Sequence, residues 1–124
     1  MTRDEVLAMK PGRELDALVA EKVMGWAYGH PCPGGMDCLH WVDEKGNVCG
    51  YKPPQYSTDN ATALVVAIHL QKQGYVVCIE LLPYEKTSVG VYEADPANQI
   101  AYAKAQTPAE AICKAALLAV MGLD

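Results

Sequence analysis

The sequence predicts a small mixed α/β domain. Its core order is helix, three antiparallel strands, helix, preceded by an N-terminal helix and an inserted hairpin. Three observations predict this. Two long apolar segments, 56–74 and 107–122, carry capping residues at the front and glycine at the back. Between them lie three β-type runs separated by turn chemistry at 83–86 and 95–98. The length of 124 residues, with a hydrophobic fraction of 51% and a charged fraction of 20%, suits one domain with one core, so residues 1–124 are read as a single domain.

Thr2-Arg3-Asp4-Glu5 fits a capping box, with Thr2 at the N-cap and Glu5 at N3. Pro11 and Gly12 interrupt this first short helix. A second helix is expected from about Arg13 to Met24, with Leu15, Leu18, Val19, Lys22 and Val23 on one face and Gly25 placed to stop it in a left-handed conformation. Residues 26 to 56 are rich in proline and glycine, and about 27–55 reads as an insertion. Within it, 39–43 and 47–51 look like short strands around a turn, and Pro53-Pro54 end the unit.

"YSTDNATALVVAIHLQKQG" follows as a helix. Ser57 or Thr58 would cap it, Asp59 favours its N-terminal dipole, and Gly74 closes it. Ala61, Leu64, Val65 and Ile68 are the expected buried face. Tyr75 to Leu82 is nearly continuous in apolar residues, as in a central strand covered on both sides. Thr87 to Glu93 alternates, with Val89 and Val91 on one side and Ser88, Gly90 and Tyr92 on the other. Gln99 to Ala105 is the third strand. Thr107-Pro108-Ala109-Glu110 is a second capping box, with proline at the first helical position. The helix it opens, "AEAICKAALLAVMG", is apolar almost all round and needs cover on more than one side. The sheet with a neighbouring helix can supply that cover. So can a second subunit, which would make a homo-oligomer through this C-terminal helix.

Charge and composition exclude several functions. The formal net charge is -5, with ten basic residues scattered among fifteen acidic ones. That balance argues against a nucleic-acid partner, which needs a cationic face. The charged opening Thr2-Arg3-Asp4-Glu5 is unlike a signal peptide, and the apolar C-terminal run is broken by Lys114 and too short to span a bilayer. No membrane association and a soluble cytoplasmic protein are the expectation. Five cysteines without a secretion signal do not suggest a disulfide framework. Cys78 and Cys113, among apolar neighbours, read as small buried hydrophobes.

The core order resembles that of the double-stranded-RNA-binding domain, but the last helix lacks the lysine cluster that would meet phosphates. A closer resemblance rests on three segments in combination: "ELDALVAEKVMGW" (14–26), "YSTDNATALVVAIHLQKQG" (56–74) and "TPAEAICKAALLAV" (107–120). Together they resemble the phage ABA sandwich domain family, small proteins of bacteriophages and prophages. The resemblance implies a sheet layered between helices, as a three-layer α-β-α sandwich, and a bacterial-virus origin; with the soluble cytoplasmic expectation above, that places the protein in the host bacterial cytoplasm. It carries over no activity and no catalytic residues, and it does not cover the region between Trp26 and Tyr56.

That uncovered region contains "HPCPGGMDCLHWVDEKGNVC", from His30 to Cys49. Cys32, Cys38, His40 and Cys49 are the right ligand types for tetrahedral zinc, but their spacing is poor for a zinc knuckle. A type I turn at Asp43 to Gly46, with Gly46 left-handed, would pair Asp43 with Asn47, Val42 with Val48 and Trp41 with Cys49. Cys49 would then face away from Cys38 and His40. A two-residue Lys45-Gly46 turn would gather Cys38, His40 and Cys49 on one face, but lysine is a poor first residue there. No metal and no cofactor are therefore assigned, and the cysteines default to free thiols. Cys38 and His40 share a strand face, yet no third group orients them as a nucleophilic pair. "PGG" at 33–35 lacks the lysine and helix of a phosphate-binding loop. Asp43 and Glu44 read as turn residues, and His69 as a partly exposed helix residue.

The aromatic residues are the remaining clue. Trp26, Tyr28, Trp41, Tyr51 and Tyr56 all fall in or beside the irregular region, where amphipathic rings suit recognition. Trp26, just after a helix, suits packing as well. The expected function is non-catalytic: an accessory protein that binds a host or phage protein. The alternatives are sequestration of a small nucleotide-like ligand between the aromatics, or a structural zinc module.

Overall fold

The computed structural model describes residues 1–31, 39–50, 52–94 and 97–123. The chain is a mixed α+β fold with two three-stranded antiparallel sheets. In order, the elements are α1 (Arg3–Ala8), α2 (Arg13–Lys22), β1 (Ala27–Pro31), β2 (Leu39–Val42), β3 (Val48–Gly50), α3 (Asn60–Lys72), β4 (Tyr75–Leu82), β5 (Lys86–Ala94), β6 (Ala97–Ala105) and α4 (Pro108–Met121).

Local chemistry sets most of these boundaries. At α1, the Thr2 hydroxyl accepts from the Glu5 N–H at 3.2 Å, and at α4 Thr107 does the same for Glu110 at 3.2 Å. Each satisfies one of the N–H groups that a helix start leaves without a partner. Gly122, at φ 66°, closes α4 in the left-handed region, where a Cβ would be strained. The start of α3 differs from expectation. Asp59 occupies the N-cap without a side-chain hydrogen bond to the backbone. Ser57 is engaged elsewhere, by a long-range partner on α2.

The insertion is a sheet rather than a hairpin, in the order β1-β2-β3. Sequence pattern missed β1 because its five residues, "AYGHP", include glycine and proline. The β2–β3 turn follows the type I expectation: the Gly46 N–H donates to the Asp43 carbonyl at 3.0 Å, and Gly46 has φ 87°. Val42 pairs with Val48 as expected, but the register then slips and Trp41 pairs with Gly50 rather than Cys49. Cys49 sits in the resulting bulge, the extra residue that locally unpairs a ladder.

The second sheet has the order β4-β5-β6. Val89 and Val91 on β5, with Ala103 and Ala101 opposite them on β6, are buried on one face. α4 packs over β5 and β6, and α3 over β4. Two expectations fail here for related reasons. β4 is an edge strand and not a central one, and Val76, Cys78, Ile79 and Leu81 are exposed on it. On α3, Ala63, Val66, Ala67 and Leu70 are buried, while Ala61, Leu64, Val65 and Ile68 face outward. Both elements carry more apolar surface than the described residues cover, so pattern alone could not choose the inner side.

α4 is covered within the chain, by α1, α2, α3 and the sheet. Lys114 is buried in it, and its ammonium donates to the Leu7 carbonyl at 2.8 Å and to Glu110 at 2.6 Å. A charge in that position requires such partners. One hydrophobic cluster joins Val6 on α1, Leu15 and Val19 on α2, Trp41, Tyr56, the inner face of α3, the sheet and α4. Among the described residues, no helix is long and apolar enough to cross a membrane.

Candidate functional site

A buried polar clasp builds the corner where the insertion meets α2. The Ser57 hydroxyl donates to Asp16 Oδ1 at 2.6 Å, and the Ser57 N–H donates to the same oxygen at 2.7 Å. The Gly12 N–H donates to Ser57 Oγ at 2.8 Å. Ser57 is fully buried and Asp16 nearly so, so these bonds satisfy groups that water cannot reach. The clasp fixes the chain before α3 against the first turn of α2.

Four of the five expected aromatics gather at this corner. Trp26 lies 6.5 Å from Trp41 and 6.4 Å from Tyr56, ring centre to ring centre, and Tyr28 lies 5.1 Å from Trp41. These are ordinary aromatic packing distances. Their exposure divides them. Trp41 and Tyr56 are in the core, Trp26 is half-buried, and Tyr28 is 55% exposed. Trp41 and Tyr56 therefore support a surface and do not form its outer layer. Burial pushes the Tyr56 hydroxyl up to about 12, reinforced by the Cys49, Cys113 and Asp16 groups nearby. Tyr51 lies outside the described residues.

Tyr28 and Trp41 line an open groove of about 260 Å³ with Arg13, Ala17 and Pro53. Arg13 and Pro53 also line a neighbouring hollow of about 270 Å³ with Gly12, Asp16, Lys52, Gln55 and Thr58. Arg13 and Lys52 are exposed and make no ion pair among the described residues. The corner thus joins an exposed ring, a proline and two cations. Sequence reasoning did not find Arg13, Lys52 or Pro53. They come together in the fold, where the Asp16–Ser57 clasp holds the chain that follows Pro53 against α2, and that leaves no local signal.

The cysteine and histidine readings fare differently. Cys32 and Cys38 lie outside the described residues, and the backbone of His40 is in β2. Cys49 is exposed, with its thiol 3.4 Å from the Asn47 carbonyl. Among the described residues, no three His, Cys, Asp or Glu side chains gather as a metal site would require. Asp43 accepts from the Asn47 and Lys45 N–H groups at 2.8 and 3.0 Å. Those bonds, the Asn47 one foremost, hold its carboxyl below the usual range. Desolvation, and then the Asp43 charge, pushes the Cys49 thiol up, opposite to what an activated nucleophile needs. Burial pushes up Cys113 too. Cys78, expected in the core, is exposed on β4.

The phage ABA sandwich domain family model matches residues 17–117 of the chain. No curated protein and no solved structure matches it.

Proposed function

The chain belongs to the phage ABA sandwich domain family, and from that premise we propose a non-catalytic accessory protein that acts by binding a host or phage protein in the bacterial cytoplasm. The proposed contact surface is the corner of Tyr28, Trp41, Pro53, Arg13 and Lys52. One observation carries the reading. Tyr28 is 55% exposed yet lies 5.1 Å from the buried Trp41. A ring held at the surface by the core loses little freedom on binding, which is what makes tyrosine and tryptophan good anchors. The flanking groove and hollow, about 260 and 270 Å³ and open to solvent, fall below the roughly 300–1,000 Å³ of pockets that enclose a small ligand. That size favours a protein segment laid across the corner.

A second reading has its own observation. Arg13 beside the Tyr28 and Trp41 rings and Lys52 in the neighbouring hollow, without an ion pair among the described residues in a chain of net charge -5, suit an anionic ring system such as a nucleotide. The three-layer order belongs to the same proposal. One helical layer lies on the inner face of β4–β6, and a second would sit against the face bearing Val76, Cys78 and Tyr102.

The test places a photo-crosslinking amino acid at position 28 and, as a control, at the exposed Glu21, in cells where the phage grows. A discrete protein adduct from position 28 and none from position 21 is expected. No adduct, or the same adducts from both, contradicts the protein-binding reading. Native mass spectrometry of the purified chain distinguishes the others. A nucleotide-sized added mass favours the second reading, and one zinc per chain the metal reading.

A further inference from the structure

The outer side of α3 and the free edge of β4 form a second surface, remote in character from the aromatic corner. Every leucine, isoleucine or valine found exposed among the described residues lies on these two elements: Leu64, Val65 and Ile68 on α3, and Val76, Ile79 and Leu81 on β4. α3 packs against β4, and a groove of about 360 Å³ runs between them, lined by Leu64, Ile68, Tyr75, Val77 and Ile79 among others. We propose that this surface is the two-fold interface of a homodimer, in which β4 pairs antiparallel with β4 of a second copy and the outer faces of α3 cover each other's groove.

Four features select a second copy. First, the sequence patterns are those of covered elements. A strand as continuously apolar as "YVVCIELL" is ordinarily buried on both faces, and a helix apolar on two sides is ordinarily covered on both. Second, β4 lacks the devices that stop edge strands from pairing. Its eight residues pair with β5 without a register shift, and none is lysine or proline. β6, the other edge, carries Lys104, Asn98 and Gln99, and its pairing with β5 is broken by a bulge.

Third, the charges are compatible with self-pairing. The chain carries -5, but the outward positions of α3 hold no Asp, Glu, Lys or Arg before Lys72, and Glu80 is the one such residue on β4. A two-fold axis at Val77, Cys78 or Ile79 sets Glu80 opposite Gly74, Val76 or Cys78, so no like charges oppose each other. Fourth, the surface approaches the size required. Nine positions of α3 and all eight of β4 are exposed or half-buried, close to the roughly 20 residues per side at which stable interfaces begin.

Sedimentation equilibrium of the purified full chain, from nanomolar to high micromolar concentration, tests the proposal. The expected result is twice the chain mass. Leu81 is 76% exposed and Ile68 40%, so Leu81→Lys and Ile68→Glu should leave the circular dichroism unchanged. Each should weaken self-association at least about a hundredfold, since the change enters the interface twice. Tyr28→Ser should leave the dimer intact, which separates this inference from the binding proposal. A single-chain mass at every concentration overturns it. So does a dimer that neither substitution weakens, or a chain that stays monomeric while a foreign strand occupies β4.

Discussion

α3 and α4 are both apolar on more than one side, yet the fold treats them differently. α4 is enclosed by α1, α2, α3 and the sheet, and its buried residues run continuously from Ala111 to Leu118. Among the described residues, α3 is enclosed on one side only, through Ala63, Val66, Ala67 and Leu70. Apolar periodicity thus states how much cover a helix wants, not where the cover comes from. For α4 the cover is in the chain. For α3 the outer half, with Leu64, Val65 and Ile68, is exposed among the described residues.

Truncating one leucine on each helix separates the two environments. Leu117 is fully buried, and Leu117→Ala should cost about 2–5 kcal/mol through lost contacts and a cavity. Leu64 is 48% exposed, and Leu64→Ala should cost no more than about 0.5 kcal/mol at dilutions where the chain is monomeric. Urea unfolding of both variants gives the two values. Equal losses would mean that α3 is as enclosed as α4.

The next prediction concerns the residue that leads into α3. Tyr56 ionises near 10 when unfolded and about 12 when folded, so the folded chain holds its proton more tightly. Its contribution is fully present below pH 10 and is lost as pH rises from 10 towards 12. The loss should approach about 2–3 kcal/mol across that window. Tyr56→Phe should flatten this part of the alkaline unfolding curve, and an unchanged curve would place the hydroxyl in water.

Ser57→Ala opens the clasp and leaves the buried Asp16 carboxylate without its hydroxyl partner. The expected cost is about 2 kcal/mol by urea unfolding. It should also loosen the aromatic corner, measured as increased quenching of tryptophan fluorescence. A smaller effect belongs to Tyr28→Ser, about 1 kcal/mol through the lost packing on Trp41. Its main consequence should fall on partner capture.

Much of the fold was legible because its signals are local. The Thr2 and Thr107 boxes, Gly46 in its turn and the alternation of Val89 and Val91 each act within a few residues. What was not legible depends on distant partners. Ser57 reads as a cap, but Asp16, 41 residues away, takes its hydroxyl. β1 has weak strand chemistry and exists by pairing with β2. The aromatics were visible as a cluster in sequence, but their division into Trp41 and Tyr56 inside and Tyr28 outside follows from packing. Arg13, Lys52 and Pro53 have no motif that joins them.

Hydrogen–deuterium exchange as a function of protein concentration tests the central contrast most directly. The α4 amides are expected to be protected at every concentration. β4 amides on the free edge should exchange in dilute samples and become protected as the second copy pairs with them. Protection of β4 that never rises with concentration, or exchange in α4 as fast as in the outer elements, would contradict it.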